Sequence, residues 1–315
     1  MLSTQIQIAA FGDPSKLTIN QLPMPELQND QVLIKTAYAG VNPIDAKTRA
    51  GLGWAAEQNK DNLPWTPGYD CAGTVVASHS ELFKPGQLVA GMIGFPIQGG
   101  CYGEHVIASA KECVLLPEGA PLEQAAGLPL AGLTAWQGLF QHGQLQAGEQ
   151  VLISAAAGGV GHLAVQLAKQ QGATVIALAS AKHQDLLTSL GADKVIDYQQ
   201  AGWAKCLPAI DLAFDLVGGD SGSQLAQNLP SGARFVTVPT LSAASLIEQA
   251  TARGVNACGM LVQANQADLR QLFDLFNRDS LTVKVAHTFA LQDAHLAHQQ
   301  IETGRTQGKV LLRCE

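Results

Sequence analysis

The stretch from Gln150 to Lys182 constrains the fold more than any other part of the chain. An apolar run, Gln150–Ser154, meets a glycine-rich turn, an amphipathic segment follows at 160–170, and a second apolar run covers 174–178. Val160, Leu163, Ala164 and Leu167 fall on one helical face, the spacing expected of a helix lying on a sheet. Strand, crossover helix and parallel strand make one βαβ unit, and the alternation continues downstream. The texture predicts a helix at 182–190, strands at 194–196, 211–217 and 234–238, a helix at 242–253, a strand at 255–260 and a helix over Gln266–Asn277. That is an α/β pattern with a doubly wound parallel sheet, the Rossmann arrangement.

The turn itself reads Ala155-Ala156-Ala157-Gly158-Gly159-Val160-Gly161. Against the fingerprint G-x-G-x-x-G, Gly158 and Gly161 fill the second and third glycine positions and Ala156 replaces the first. The second glycine lets backbone approach a pyrophosphate, the third lets helix and strand pack closely, and the helix start offers amide donors and a favourable dipole. Alone, such a motif is also an ordinary turn; inside a βαβ run it reads as a dinucleotide site. NAD sites place an acid about 20 residues on, at the end of the second strand. Here the segment is Leu178-Ala179-Ser180-Ala181-Lys182-His183, with no acid. Ser180 and Lys182 suit an extra phosphate, so NADPH is expected. The alternative for the pair is a helix cap by Ser180 with a solvated lysine.

A length of 315 residues suggests two domains, and 47% hydrophobic residues supply two cores. The net charge of −7 argues against a nucleic-acid partner, since such binding rests on clustered Lys and Arg. The most apolar stretch, 151–168, is broken by Gly158, Gly159 and Gly161, so no membrane span is expected. The N-terminal stretch lacks a basic start and apolar core, and six cysteines lie scattered without a C-x-x-C pair. Reduced thiols and cytoplasmic residence follow as expectations. The first 120 residues carry β-branched runs punctuated by prolines, a loop-rich β domain; 283–313 returns to strand, helix and strand.

Four further segments carry a family resemblance: Val41-Asn42-Pro43-Ile44-Asp45-Ala46-Lys47, Pro67-Gly68-Tyr69-Asp70-Cys71-Ala72-Gly73, Leu128-Pro129-Leu130-Ala131-Gly132-Leu133-Thr134-Ala135, and Gly308-Lys309-Val310-Leu311-Leu312. Together with the glycine loop, they resemble the medium-chain dehydrogenase/reductase superfamily, in its zinc-free quinone and enone reductase branch. The resemblance implies a GroES-like β-rich catalytic domain at 1–121 and 279–315, with the Rossmann domain at 122–278 inserted and the substrate cleft at their junction. Zinc relatives bind catalytic metal through Cys, His and Cys; the matching positions here are Asn42, Tyr69 and Ala131, a poor zinc set. His295 and His298 read as a packed or solvated pair. No metal is expected. Hydride addition to a simple ketone leaves a localised alkoxide that profits from a Lewis acid, whereas an enone or quinone leaves a delocalised anion that hydrogen-bond donors stabilise.

The resemblance therefore implies an NADPH-dependent reductase of quinones or α,β-unsaturated carbonyls. Lys47, which resembles the lysine of the alkenal and enone reductases, is the expected donor to the developing oxyanion or to the cofactor ribose, where it would shuttle a proton, with Asp45 orienting it and Asn42 and Tyr69 lining the same site. Lys47 also has a surface interpretation, and Asn42 and Tyr69 a packing one. The resemblance carries Thr134 to the nicotinamide ribose, Gly158, Gly159 and Val160 to the pyrophosphate, Tyr198 to the adenosine half, and Val217 with Gly218 to the strand end beside the ribose. The segment at 51–66, flanked by Trp54 and Trp65, is either a substrate entrance or a packed loop. Two alternatives remain: an enoyl-thioester reductase, needing a basic channel, and a non-catalytic NADPH-binding sensor or scaffold. A homodimer pairing through the strand at 255–260 is expected by analogy.

Overall fold

A computed structural model describes residues 2–315. By internal contacts the chain forms two compact units, one running up to Leu133 and resuming at Gln263, the other Thr134–Val262.

The first unit opens with an antiparallel hairpin, β1 (Leu2–Ile8) and β2 (Leu17–Pro23). The long strand β3 (Gln31–Val41) ends at the short helix α1 (Pro43–Arg49), followed by α2 (Gly53–Asn59). Strands β4 (Asp70–Ser78), β5 (Leu88–Met92), β6 (His105–Ser109) and β7 (Cys113–Leu115) then lead to helices α3 (Leu122–Ala126) and α4 (Pro129–Trp136). The segment at 51–66 is helical over 53–62 and exposed over much of its length, while Trp65 is buried and its indole N–H donates to the Gln98 carbonyl at 3.0 Å.

The second unit carries β8 (Gln150–Ser154), α5 (Gly161–Gln170), β9 (Thr174–Ala179), α6 (Gln184–Ser189) and β10 (Lys194–Asp197). It continues through β11 (Leu212–Asp215), α7 (Gly219–Asn228), β12 (Arg234–Thr237), α8 (Thr240–Thr251) and β13 (Asn256–Gly259). All six strands pair in parallel, in the order β10-β9-β8-β11-β12-β13. This is the doubly wound order, whose direction reverses between β8 and β11. Every residue of β11 is buried, as covered faces of a parallel sheet demand. Helix α5 exceeds the one-faced expectation: Gly161 through Ala168 are all buried, leaving Lys169 and Gln170 exposed.

The chain returns to the first unit through α9 (Gln266–Asn277), β14 (Val285–Ala290), α10 (Ala294–Glu302) and β15 (Lys309–Arg313). Strand β15 pairs antiparallel with β3 and completes a seven-stranded sheet, β14-β15-β3-β4-β5-β7 with β6 on β3.

Residues 122–133 and 263–278, expected with the nucleotide-binding domain, group instead with the β-rich unit. Helix α3 packs on β3, β4 and β5, and α9 packs on β7. The Gln266 amide also donates to the carbonyls of Ala110 and Cys113.

Candidate functional site

The glycine loop leaves β8 through Ala155, held at φ 45°, a left-handed conformation that an alanine rarely adopts. Its carbonyl accepts from Gly158 N at 2.8 Å and closes the turn. A Cβ on Gly161 would lie 2.3 Å from Ala155 O and 2.7 Å from Ala156 Cα, so only glycine allows the helix this close to the strand. A Cβ on Gly158 would meet only Ala155 O, at 3.1 Å; the space beyond is open. No side chain caps the start of α5. An open glycine edge beside an uncapped helix start is the geometry that receives a pyrophosphate.

At the end of β9, Ser180 occupies the cap position of a short turn, Ala181–His183, yet its hydroxyl makes no cap bond. The capping interpretation of Ser180 is not realised. Lys182 beside it is exposed and forms no ion pair among the described residues. The helix expected at 182–190 starts as α6 only at Gln184, because this turn intervenes. Tyr198, just past β10, and Val217, just past β11, are 51% and 49% exposed. Thr134, in contrast, is buried in α4.

Asp215, which sequence reasoning passed over, organises the end of β11. Its buried carboxylate accepts from Ser154 Oγ at 3.0 Å, Thr237 Oγ1 at 2.8 Å, and the amides of Val217 and Gly218 at 3.1 Å. Those amide bonds bend the chain away and end the strand at Asp215, two residues before the expected 217. One carboxylate thus joins β8, β11 and β12 at the point where strand order reverses.

In the first unit, Lys47 lies exposed in the last turn of α1, and its side chain has no hydrogen-bond partner among the described residues. Asp45 does not orient it. The Asp45 carboxylate turns inward, fully buried, and accepts from Asn42 N at 2.8 Å, Gly68 N at 3.3 Å and Tyr102 Oη at 3.4 Å. On a seven-residue helix, side chains two apart point to different faces. Burial, with the nearby Asp70 carboxylate, pushes the Asp45 carboxyl up to about 7.

Asn42 and Tyr69 are both buried, and their polar atoms are already engaged. The Asn42 amide donates to Asp70 Oδ2 at 2.8 Å and its carbonyl oxygen accepts from Lys309 Nζ at 2.5 Å. The Tyr69 hydroxyl donates to the Pro96 carbonyl at 2.8 Å, and its ring packs edge-on against Phe95. Burial pushes its ionisation far above the ordinary tyrosine range. With Ala131 offering a methyl group, these residues do not suit zinc. Of the paired histidines, His298 is buried, with Nε2 3.1 Å from Tyr102 Oη.

Residues 28–118 match the alcohol dehydrogenase GroES-like domain family, and residues 190–312 match the zinc-binding dehydrogenase family. The chain is 34% identical to a trans-enoyl reductase of Aspergillus terreus, covering 94% of this chain and 91% of that one. It is 40% identical to an NADPH-dependent alkenal/one oxidoreductase of Arabidopsis thaliana, over 65% of this chain and 54% of the other. Among solved structures, the quinone oxidoreductase of Coxiella burnetii superposes with a TM-score of 0.95 at 40% identity, covering 100% of both chains.

Proposed function

Because the chain belongs to the medium-chain dehydrogenase/reductase superfamily, in its zinc-free quinone and enone reductase branch, we propose that it is an NADPH-dependent reductase of quinones or α,β-unsaturated carbonyl compounds. The observation that carries the cofactor is the open edge at Gly158 and the uncapped start of α5, together with an unpartnered Ser180 hydroxyl and Lys182 at the end of β9. NADPH, when bound, supplies the hydride.

The protein's own residues bind and orient. Gly158, Gly159 and Val160 hold the pyrophosphate, Ser180 and Lys182 the 2′-phosphate, and Tyr198 the adenosine half. Thr134, Val217 and Gly218 border the nicotinamide ribose, the last two fixed by Asp215. Lys47 donates to the carbonyl oxygen of the acceptor as negative charge develops there, the point at which a preorganised donor lowers the barrier most. Asn42 and Tyr69 support this group rather than touch substrate, since their polar atoms have partners in the protein.

Following loss of NADPH absorbance with a panel of quinones, enals and enones tests the reading. Turnover is expected with activated acceptors, and Lys47→Ala should lower kcat/KM for enones about 10²-fold. A value within threefold of the parent removes Lys47 from the role, and calorimetry showing no affinity for any pyridine nucleotide removes the whole reading. The Aspergillus relative favours one second reading, an enoyl-thioester reductase, which reduction of an enoyl thioester at a rate above that of free enones would establish.

Two coarser properties accompany this. No helix among the described residues is long and apolar enough to cross a membrane; six free cysteines support a reducing, cytoplasmic setting. Strand β13 is one of the two edges of its sheet, with β10 the other, and a homodimer pairing through β13 would appear as twice the chain mass in sedimentation.

A further inference from the structure

Lys309, one of two buried cations in the first unit with Arg49, has no assigned role in the reading above. Lys309 opens β15, and the neighbouring pair Val310↔Val41 sets it beside the end of β3. Its side chain is 3% exposed, and the Asp70 side chain that it faces is 0% exposed. Nζ donates to Asn42 Oδ1 at 2.5 Å and to Asp70 Oδ2 at 3.4 Å, while Asn42 Nδ2 donates to the same Asp70 oxygen at 2.8 Å. The three side chains close a ring. The other Asp70 oxygen accepts from Leu130 N at 2.7 Å, near the start of α4.

Such a ring is a costly way to stabilise a fold. Desolvating two charges offsets most of their attraction, and replacing a buried ion pair with neutral groups is often neutral or stabilising. What the ring does is fix a position. Asn42 is the cap residue of α1, and a helix of seven residues has little rigidity of its own. Lys47 stands five residues further along the same helix, about 7.5 Å up its axis. Whatever holds Asn42 holds the root of Lys47.

We infer that Lys309 is a positioning residue, its ammonium locking Asn42 and Asp70 so that α1 presents Lys47 in one place. The inference rests on the reading of Lys47 as the donor to substrate. It gives Lys309 a role beyond balancing the Asp70 charge, and it makes turnover sensitive to a buried side chain.

A double-mutant cycle tests it. Asp70→Asn combined with Lys309→Met removes both charges, so neither is stranded. The expected result is a thermal midpoint close to that of the parent, an NADPH Kd within twofold, and kcat for an enone lowered about tenfold or more, in keeping with the roughly 10²-fold cost of a 1 Å misplacement. Adding Lys47→Ala to that background should cost less than threefold more, because contacts acting as one unit are not additive. Asn42→Ala cuts the ring from α1 while leaving the Lys309–Asp70 pair; it should lower kcat by a similar factor and carries the test if the paired variant does not fold. The inference is overturned if Asn42→Ala or the neutralised pair keeps kcat within twofold, or if Lys47→Ala costs its full factor in both backgrounds. Loss of any Lys47→Ala effect in the parent itself overturns the donor assignment and this inference together, an outcome distinct from failure of the ring alone.

Discussion

Gly158 and Gly161 sit three residues apart in one loop, yet alanine should injure the protein at each by a different mechanism. At Gly161 the added Cβ would lie 2.3 Å from Ala155 O, 2.7 Å from Ala156 Cα and 2.8 Å from Ala156 C. All three atoms are backbone, so none can rotate away. Overpacking of this kind costs about 3 kcal/mol, of which the better helix propensity of alanine returns under about 1 kcal/mol. Gly161→Ala should therefore unfold at a free energy about 2 kcal/mol lower. At Gly158 the Cβ would meet only Ala155 O, at 3.1 Å, and stability should stay within about 1 kcal/mol of the parent. Its methyl would instead occupy the approach of the pyrophosphate, raising the NADPH Kd about 10- to 100-fold, or about 1.4–2.8 kcal/mol. Urea titration gives the first quantity and calorimetry with NADPH the second. A Gly158→Ala protein that binds NADPH with parental affinity would refute the assignment of this loop to the cofactor. Equal destabilisation by both variants would refute the packing argument.

Two further measurements probe other parts of the molecule. Ser180→Ala with Lys182→Ala should lower kcat/KM with NADPH by tenfold or more and leave NADH nearly untouched, and equal efficiency of the parent with both cofactors would end the assignment of a 2′-phosphate site. His298 is held down to about 3 by burial and by the charge of Arg49, against 6.5 when free, so near pH 5 the unfolded chain binds a proton that the folded protein does not. Its contribution to stability is present above pH 6.5 and lost as pH falls toward 3, about 2 kcal/mol of it by pH 5. His298→Gln keeps a polar partner for Tyr102 and should narrow the stability gap to the parent, or reverse it, between pH 7 and 5; a gap independent of pH would sink the idea. Asp45, held up at about 7, acts in the opposite sense: its contribution is fullest below about pH 4 and lost as pH rises toward 7, which is why the variant must be compared with the parent at each pH.

Much of this architecture was legible in one dimension. The parallel strands announce themselves as short apolar runs because both faces of their sheet are covered, and β8 and α9 span the expected residues. The glycine loop was equally readable, since the need for a missing side chain at Gly161 is a local backbone matter. Element ends were less so. Strand β11 stops at Asp215 because that carboxylate captures the amides of Val217 and Gly218, a bond that no hydrophobic pattern encodes.

The chain alone determined the repeating strand and helix order, the glycine turn and the absence of an acid after β9, and its resemblance to the zinc relatives pointed to Asn42, Tyr69 and Ala131 at their ligand positions. Only the tertiary structure decided which polar groups remain available for chemistry. It turned Asp45 inward, tied Tyr69 to the Pro96 carbonyl, and brought Lys309 to Asn42 across 267 positions of sequence. The physical reason is that a buried polar atom must find its partner wherever the fold brings one within about 3 Å, and that partner is set by the packing of distant strands, not by neighbours along the chain.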